Sequence, residues 1–254
     1  MTFRLDDHWV WDFWTAVDGD RVHLFYLHAP RSLGDPDLRH RASRIGHAVS
    51  RDLESWTVLP LPLPDPPRDA FDGLAQWTGS VVARQGRWHL FYTGVRDAEE
   101  GLRQRIGVAT SDDLVTWRRG SLVLEADPTW YETLPDAEHE EHWRDPWVFH
   151  DSDDGLHHML VTARSRSGPS DGRGVIGHAT SPDLERWTVE PPLTEPGEYR
   201  QMEVPQLVRM GGAYRLIFSA GAWDHSAARL ARGVVAETGT HELLGPTPLG
   251  PFAP

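Results

Sequence analysis

Residues Ile45–Trp56 read I-G-H-A-V-S-R-D-L-E-S-W, Ile106–Trp117 read I-G-V-A-T-S-D-D-L-V-T-W, and Ile176–Trp187 read I-G-H-A-T-S-P-D-L-E-R-W. The common skeleton is Ile-Gly-x-Ala-x-Ser-x-Asp-Leu-x-x-Trp. The copies start 61 and then 70 residues apart (106 − 45 and 176 − 106). Self-similarity at such a period marks one supersecondary unit repeated in a solenoid, propeller or array.

Working outward from each copy gives the rest of the unit. Ahead of the phrase lies an apolar run: Val22–His28, Trp88–Thr93 and Leu156–Thr162, with a fourth of the same character at Tyr214–Ser219. Such runs of five to seven residues read as strands. Turn signals precede them at Asp18-Gly19, Gln85-Gly86, Asp154-Gly155 and Gly211-Gly212. A further short strand is expected before each turn, at Trp11–Val17, Gly79–Ala83, Pro146–His150 and Pro205–Val208. The phrase itself supplies a third strand, a polar turn and a fourth strand opening at Trp. The predicted unit is therefore four antiparallel strands, and no segment carries sustained, capped helical periodicity. Repeated radially, such units are the blades of a β-propeller, so the fold class is all-β.

Four units can be counted. The fourth is degenerate: its third strand is expected at Ala231–Ala236, and Phe252 stands where the phrase has Trp. Residues 1–254 read as a single propeller domain with its C-terminal blade missing or truncated. An open ring would expose two blade edges, which association of two copies would cover. The insertions Leu59–Asp72 and Glu125–Glu141, rich in Pro and acids, read as loops between blades on the face where a site is built.

Composition narrows the function. With 25 basic and 38 acidic residues the formal net charge is −13, which argues against nucleic acid or an anionic membrane as partner. There are no cysteines, which excludes disulfides and thiolate metal sites. The N-terminus has no apolar stretch resembling a signal peptide, and no run approaches the roughly 20 residues of a membrane helix. The expected location is the cytoplasm. Twelve tryptophans exceed what a core needs and suit a pocket for flat ligands such as sugars.

The unusual residues stand where each unit opens. Unit one has W-V-W-D-F-W at Trp9–Trp14, unit two Q-W-T-G-S at Gln76–Ser80, unit three H-W-R-D-P at His142–Pro146, and unit four Q-M-E-V-P at Gln201–Pro205. Corresponding positions of successive blades converge on a propeller axis, so Asp12, Asp145 and Glu203 are expected to share one slot and one pocket. Carboxylates beside Trp rings and an Arg suit glycosidic bond cleavage: one attacks the anomeric carbon or activates water, and another protonates the leaving oxygen. The Asp of each phrase (Asp52, Asp113, Asp183) recurs at a turn where it can bond nearby N–H groups, and reads as structural. Trp56, Trp117 and Trp187 likewise read as packing.

At these openings the chain resembles the five-bladed propeller glycoside hydrolases: the invertases and fructanases of family 32, the levansucrases of family 68, and the arabinosidases and xylosidases of family 43. The opening around Asp12 is similar to the levansucrase Val-Trp-Asp motif, and Trp77–Ser80 to the Trp-Ser-Gly-Ser motif. Residues Arg144–Pro146 match Arg-Asp-Pro, and Glu203–Pro205 resemble the Glu-Cys-Pro or Glu-Arg-Pro motif. The motifs occur in family order over residues 9 to about 252. The resemblance implies Asp12 as nucleophile, Glu203 as acid/base and Asp145 as transition-state stabiliser. Trp11, Trp77, Thr78 and Arg144 would bind the sugar, with the Thr78 hydroxyl steadying the nucleophile. It implies a retaining β-fructofuranosidase-like hydrolase acting on a small sugar or glycoside, without cofactor or metal. The family 32 opening Asn-Asp-Pro-Asn-Gly is absent. Family 43 members often place a His near an axial metal, which makes His225 the residue to inspect. An inverting arabinofuranosidase or xylosidase and a non-catalytic carbohydrate-binding propeller are the alternatives.

Overall fold

A computed structural model describes residues 3–137 and 139–253. Among the described residues, fifteen strands form four antiparallel sheets, each a meander whose spatial order follows the chain. Blade I is β1 (His8–Asp18), β2 (Arg21–Pro30), β3 (Arg44–Ser50) and β4 (Thr57–Leu59). Blade II is β5 (Ala75–Arg84), β6 (Arg87–Val95), β7 (Gln104–Ser111) and β8 (Arg118–Leu124). Blade III is β9 (Trp143–His150), β10 (His157–Arg164), β11 (Gly174–Ser181) and β12 (Thr188–Glu190). Blade IV has β13 (Glu203–Met210), β14 (Ala213–Ala220) and β15 (Gly239–Gly245). The fold is all-β, built from β-propeller blades.

The chain divides into two compact units, Met1–Val123 and Leu124–Pro254. In the first, β1 packs against β5, and Trp14, Phe25, Leu27, Ile45, Leu90 and Tyr92 form the core. In the second, β9 and β10 pack against β13 around Leu160, Ile176, Tyr199, Met202, Leu216 and Phe218. The second strand of blades I to III lies between two neighbours and is covered on both faces. That is why it reads as a continuous apolar run rather than an alternation: Leu24, Phe25, Tyr26 and Leu27 are all buried.

Each letter of the phrase has a packing reason. Ile45, Ile106 and Ile176 are fully buried, as are Ala48, Ala109 and Ala179. The glycine between them admits an aromatic ring. A Cβ on Gly46 would strike Tyr26, on Gly107 it would strike Phe71, and on Gly177 it would crowd Trp143, Val161 and Ala163. The Ser and Asp build the turn. The Ser50 hydroxyl accepts from the Leu53 N–H, while Asp52 accepts from Glu54 and Ser55. Asp113 accepts from Val115 and Thr116, and Asp183 from Glu185 and Arg186. These backbone donors hold Asp52 and Asp113 down at about 2. The three Asp residues are structural, and Trp117 and Trp187 donate their indole N–H to Leu114 and Leu184 of the same turns.

Two expectations need correction. The first strands begin earlier than expected, at His8, Ala75, Trp143 and Glu203, so Trp77, Thr78, Arg144, Asp145 and Glu203 sit within strands rather than ahead of them, as is already expected of Trp11 and Asp12. In blade IV, residues 231–236 are not a strand. Ser226 caps a short helix, α1 (Ala227–Ala231), and Gly233, at φ 84°, turns the chain out of it. The third strand is β15, and the outer strand shrinks to a single bridge in which Leu244 and Ala253 exchange both N–H···O bonds. Phe252 packs on the core of the second unit and against Gly245. The insertion before blade II carries a buried acid, Asp72, which accepts from Tyr92, Gln76 and Arg119.

Candidate active site

The innermost strand of every blade breaks register at the same point. Trp11 pairs with Leu27 and Phe13 with Tyr26, which leaves Asp12 as an extra residue. Trp77 pairs with Thr93 and Gly79 with Tyr92, which leaves Thr78. In blade III, Arg144 pairs with Thr162 and Trp147 with Leu160, so the bulge falls at Asp145 and Pro146. In blade IV, Glu203 pairs with Ser219 and Gln206 with Ile217, so it falls at Val204 and Pro205. A bulge re-aims side chains and is favoured beside active sites. Asp12, Asp145 and Val204 have φ of 33°, 60° and 50°, a region that side-chain-bearing residues rarely enter and a β-branched Val least of all.

This register corrects the idea that the three acids share one slot. Asp12, Thr78, Asp145 and Val204 are strict equivalents. Glu203 instead occupies the slot of Trp11, Trp77 and Arg144. The proline within each of the last two bulges, Pro146 and Pro205, lacks an N–H, which costs nothing where the ladder is already interrupted.

In the first unit the Thr78 hydroxyl donates to Asp12 Oδ2 at 2.7 Å. The Thr93 hydroxyl holds the Thr78 carbonyl. Trp11 and Trp77 are steadied by a short 3-10 segment, Pro36–Ala42: the Trp77 indole donates to the His40 carbonyl, His40 meets Trp11 edge-on, and Arg39 lies 5.5 Å over the Trp11 ring.

In the second unit Arg144 is the hub. Its guanidinium reaches His142 Nδ1 at 2.7 Å, Gln201 Oε1 at 2.9 Å and Glu203 Oε1 at 2.7 Å, with Asp145 Oδ2 3.5 Å from its Nε. Arg144 and Asp145 are buried, whereas 39% of the Glu203 side chain remains exposed. Burial opposes the charge on Arg144, but the Glu203 and Asp145 carboxylates outweigh it and hold the guanidinium above its ordinary range. Burial, reinforced by Arg144, keeps His142 neutral and well below its usual value, so its Nδ1 serves as an acceptor. Asp145 Oδ2 also accepts from the Thr162 hydroxyl at 2.9 Å and from the Val204 N–H at 3.2 Å.

The first unit thus gathers Trp11, Asp12, Trp77 and Thr78; the second gathers Arg144, Asp145 and Glu203. Thr162 and Gln201 belong to the second cluster; Thr162 carries no motif signal, because it lies in an apolar run and its direction is set by strand register. His225 is engaged otherwise than as a metal ligand: Arg229 donates to its Nδ1 at 3.3 Å and its Nε2 faces the Glu237 carbonyl.

Comparison with known proteins gives the family of the chain. A sucrose-6-phosphate hydrolase from Zymomonas mobilis is 30% identical over 210 residues, covering 78% of this chain and 37% of the relative. The chain thus spans well under half the length of that curated relative. Among solved structures, inulosucrase from Halalkalicoccus jeotgali, bound to kestose, superposes with a TM-score of 0.80 at 25% identity over 98% of this chain and 67% of its own. The β-fructofuranosidase catalytic domain from Microbacterium saccharophilum K-1 gives 0.77 at 21% identity, over 97% of this chain and 63% of its own. The model of the glycosyl hydrolases family 32 N-terminal domain matches residues 16–241, and the chain belongs to that family.

Proposed function

We propose that residues 1–254 act as one catalytic domain of a retaining β-fructofuranosidase, with Asp12 as nucleophile and Glu203 as acid/base. The observation that carries this reading is the pair of bulge-borne carboxylates, Asp12 and Asp145, each held by a threonine hydroxyl, together with the arginine fork on Glu203. The family membership and the name of the Zymomonas relative support the substrate class: sucrose or its 6-phosphate.

In the first step an Asp12 oxygen attacks the anomeric carbon of the fructosyl unit. The bond to the leaving oxygen breaks, and that oxygen takes the proton of Glu203. In the second, water gives a proton to the Glu203 carboxylate and attacks the same carbon, expelling Asp12. Asp145, fixed by Thr162 and Val204, accepts hydroxyl hydrogen bonds from the sugar and favours positive charge on the ring. Trp11 and Trp77 stack on its C–H face. No metal or cofactor enters this scheme.

The test is release of fructose from sucrose and sucrose-6-phosphate. Asp12→Asn and Glu203→Gln should each lower kcat by at least about 1,000-fold. Saturable sugar binding by the unaltered protein without turnover, or full activity in either variant, overturns the assignment. No described helix is long and apolar enough to cross a membrane, and the reading places the enzyme in the cytoplasm, checked by fractionation. It also includes self-association along an exposed blade edge, which sedimentation velocity would detect as a dimer.

A further inference from the structure

The 3-10 segment Pro36–Ala42 ends in three basic residues, Arg39, His40 and Arg41. It joins β2 to β3, at the end of blade I where Trp11 pairs with Leu27. Asp35 caps its start, accepting from the Asp37 N–H. Its other end is fixed against the sugar platforms. The Arg39 guanidinium lies 5.5 Å over the Trp11 ring, and the His40 ring meets Trp11 edge-on at 5.8 Å. The His40 carbonyl accepts from the Trp77 indole at 2.7 Å.

Their partners set these arginines apart. Elsewhere in the first unit Arg44, Arg68, Arg87 and Arg105 each meet a carboxylate, from Asp65, Asp97, Asp112 and Glu99. Arg39 instead gives an N–H to the Pro36 carbonyl, and Arg41 gives one to the Glu100 carbonyl. Among the described residues neither pairs with a carboxylate. A guanidinium carries five donors in a planar fork, so Arg39 keeps donors for a ligand. Its stack on Trp11 and its bond to Pro36 restrict the side chain before a ligand arrives, so less freedom is lost on binding. A neutral sugar gains little from a full positive charge beside its platform. A phosphate monoester, with nearly two negative charges and three acceptor oxygens, matches the fork. A chain of net charge −13 repels such an anion, which makes a local cation necessary for holding it.

We propose that Arg39 binds the phosphate of a phosphorylated disaccharide and makes sucrose-6-phosphate, rather than sucrose, the preferred substrate. This rests on the fructofuranosidase reading above and chooses between its two substrates. Arg39 acts in binding and takes no part in bond cleavage.

The experiment measures kcat/KM on both substrates in the unaltered protein, in Arg39→Met and in Arg118→Met. The first variant keeps an apolar stem over Trp11; the second removes the same charge from β8, the outer strand of blade II. The unaltered protein should favour sucrose-6-phosphate by at least about tenfold. Arg39→Met should lower kcat/KM on sucrose-6-phosphate by about 10- to 100-fold, mainly through KM, and on sucrose by less than about threefold. Arg118→Met should keep the ratio of the two within about twofold. Added salt should narrow the preference of the unaltered protein and not that of Arg39→Met. No preference in the unaltered protein, equal losses on both substrates in Arg39→Met, or the same change in Arg118→Met overturns the proposal. Calorimetry with glucose-6-phosphate and glucose separates it from the catalytic reading. If neither disaccharide is cleaved, yet glucose-6-phosphate binds at least about tenfold tighter than glucose and Arg39→Met abolishes the difference, the hydrolase reading fails and the phosphate site stands. If both are cleaved at a ratio indifferent to Arg39→Met, only the phosphate site fails. Should Arg39→Met not fold, Arg39→Gln decides by the same comparison.

Discussion

A single hydroxyl separates two readings of Asp12. As a bulge residue in a left-handed conformation it could be a strained turn and nothing more. The Thr78 hydroxyl, itself a bulge residue of the next blade, aims a hydrogen at one carboxylate oxygen of Asp12. A hydrogen bond to an ionised group is worth about 1.5–3 kcal/mol. If it orients the nucleophile, Thr78→Val, which keeps the volume, should lower kcat by about 10- to 100-fold with little change in KM, and Thr78→Ser should restore it. Steady-state kinetics on the three proteins checks this; an unchanged kcat in Thr78→Val would remove Thr78 from the site.

At the scale of the element, the phrase is legible because each position answers to one local force. Gly107 shows this most sharply, with the Phe71 ring in the space its Cβ would need. Gly107→Ala should cost about 1–3 kcal/mol by overpacking. Gly239→Ala, at the open start of β15, should be near neutral. Urea denaturation of the two variants tests the contrast, and equal midpoints would contradict it. Blade order and the four strands of blades I to III are readable for the same reason: apolar runs and turn signals are local. The register is not. A bulge shifts Glu203 by one place relative to Asp12 and Asp145, and no periodicity marks an extra residue in a ladder. The Gly233–Ala236 run resembles a strand in composition, yet Val235 is 72% exposed. The capped helix before it takes the chain elsewhere, and β15 forms from Gly-Thr-His-Glu-Leu-Leu-Gly, whose inward residues are spaced too sparsely to stand out.

Across the whole molecule, both units bury histidines in corresponding places. In blade I, His23 Nδ1 meets His47 Nε2 at 2.9 Å; in blade III, His158 Nδ1 meets His178 Nε2 at 2.9 Å. Burial, helped by the neighbouring imidazole, pushes His47 down to about 3 and His178 to about 4, and burial holds His28 at about 4. The sign follows from linkage. Above the unfolded value near 6.5 these rings are neutral in both states, so stability does not depend on them. As pH falls below it, the unfolded chain binds protons that the folded chain refuses, and stability declines until the folded values are reached. Each such ring contributes a slope of about 1.4 kcal/mol per pH unit at most. The unfolding free energy should therefore be flat above pH 7 and fall steeply between about 6.5 and 4. That window lies well above the values near 2 at which the turn carboxylates Asp52 and Asp113 titrate. Chemical denaturation as a function of pH checks this, with His47→Gln and His178→Gln each making the decline shallower. A stability that held constant down to pH 5 would show that the paired histidines are hydrated or charged in the folded state.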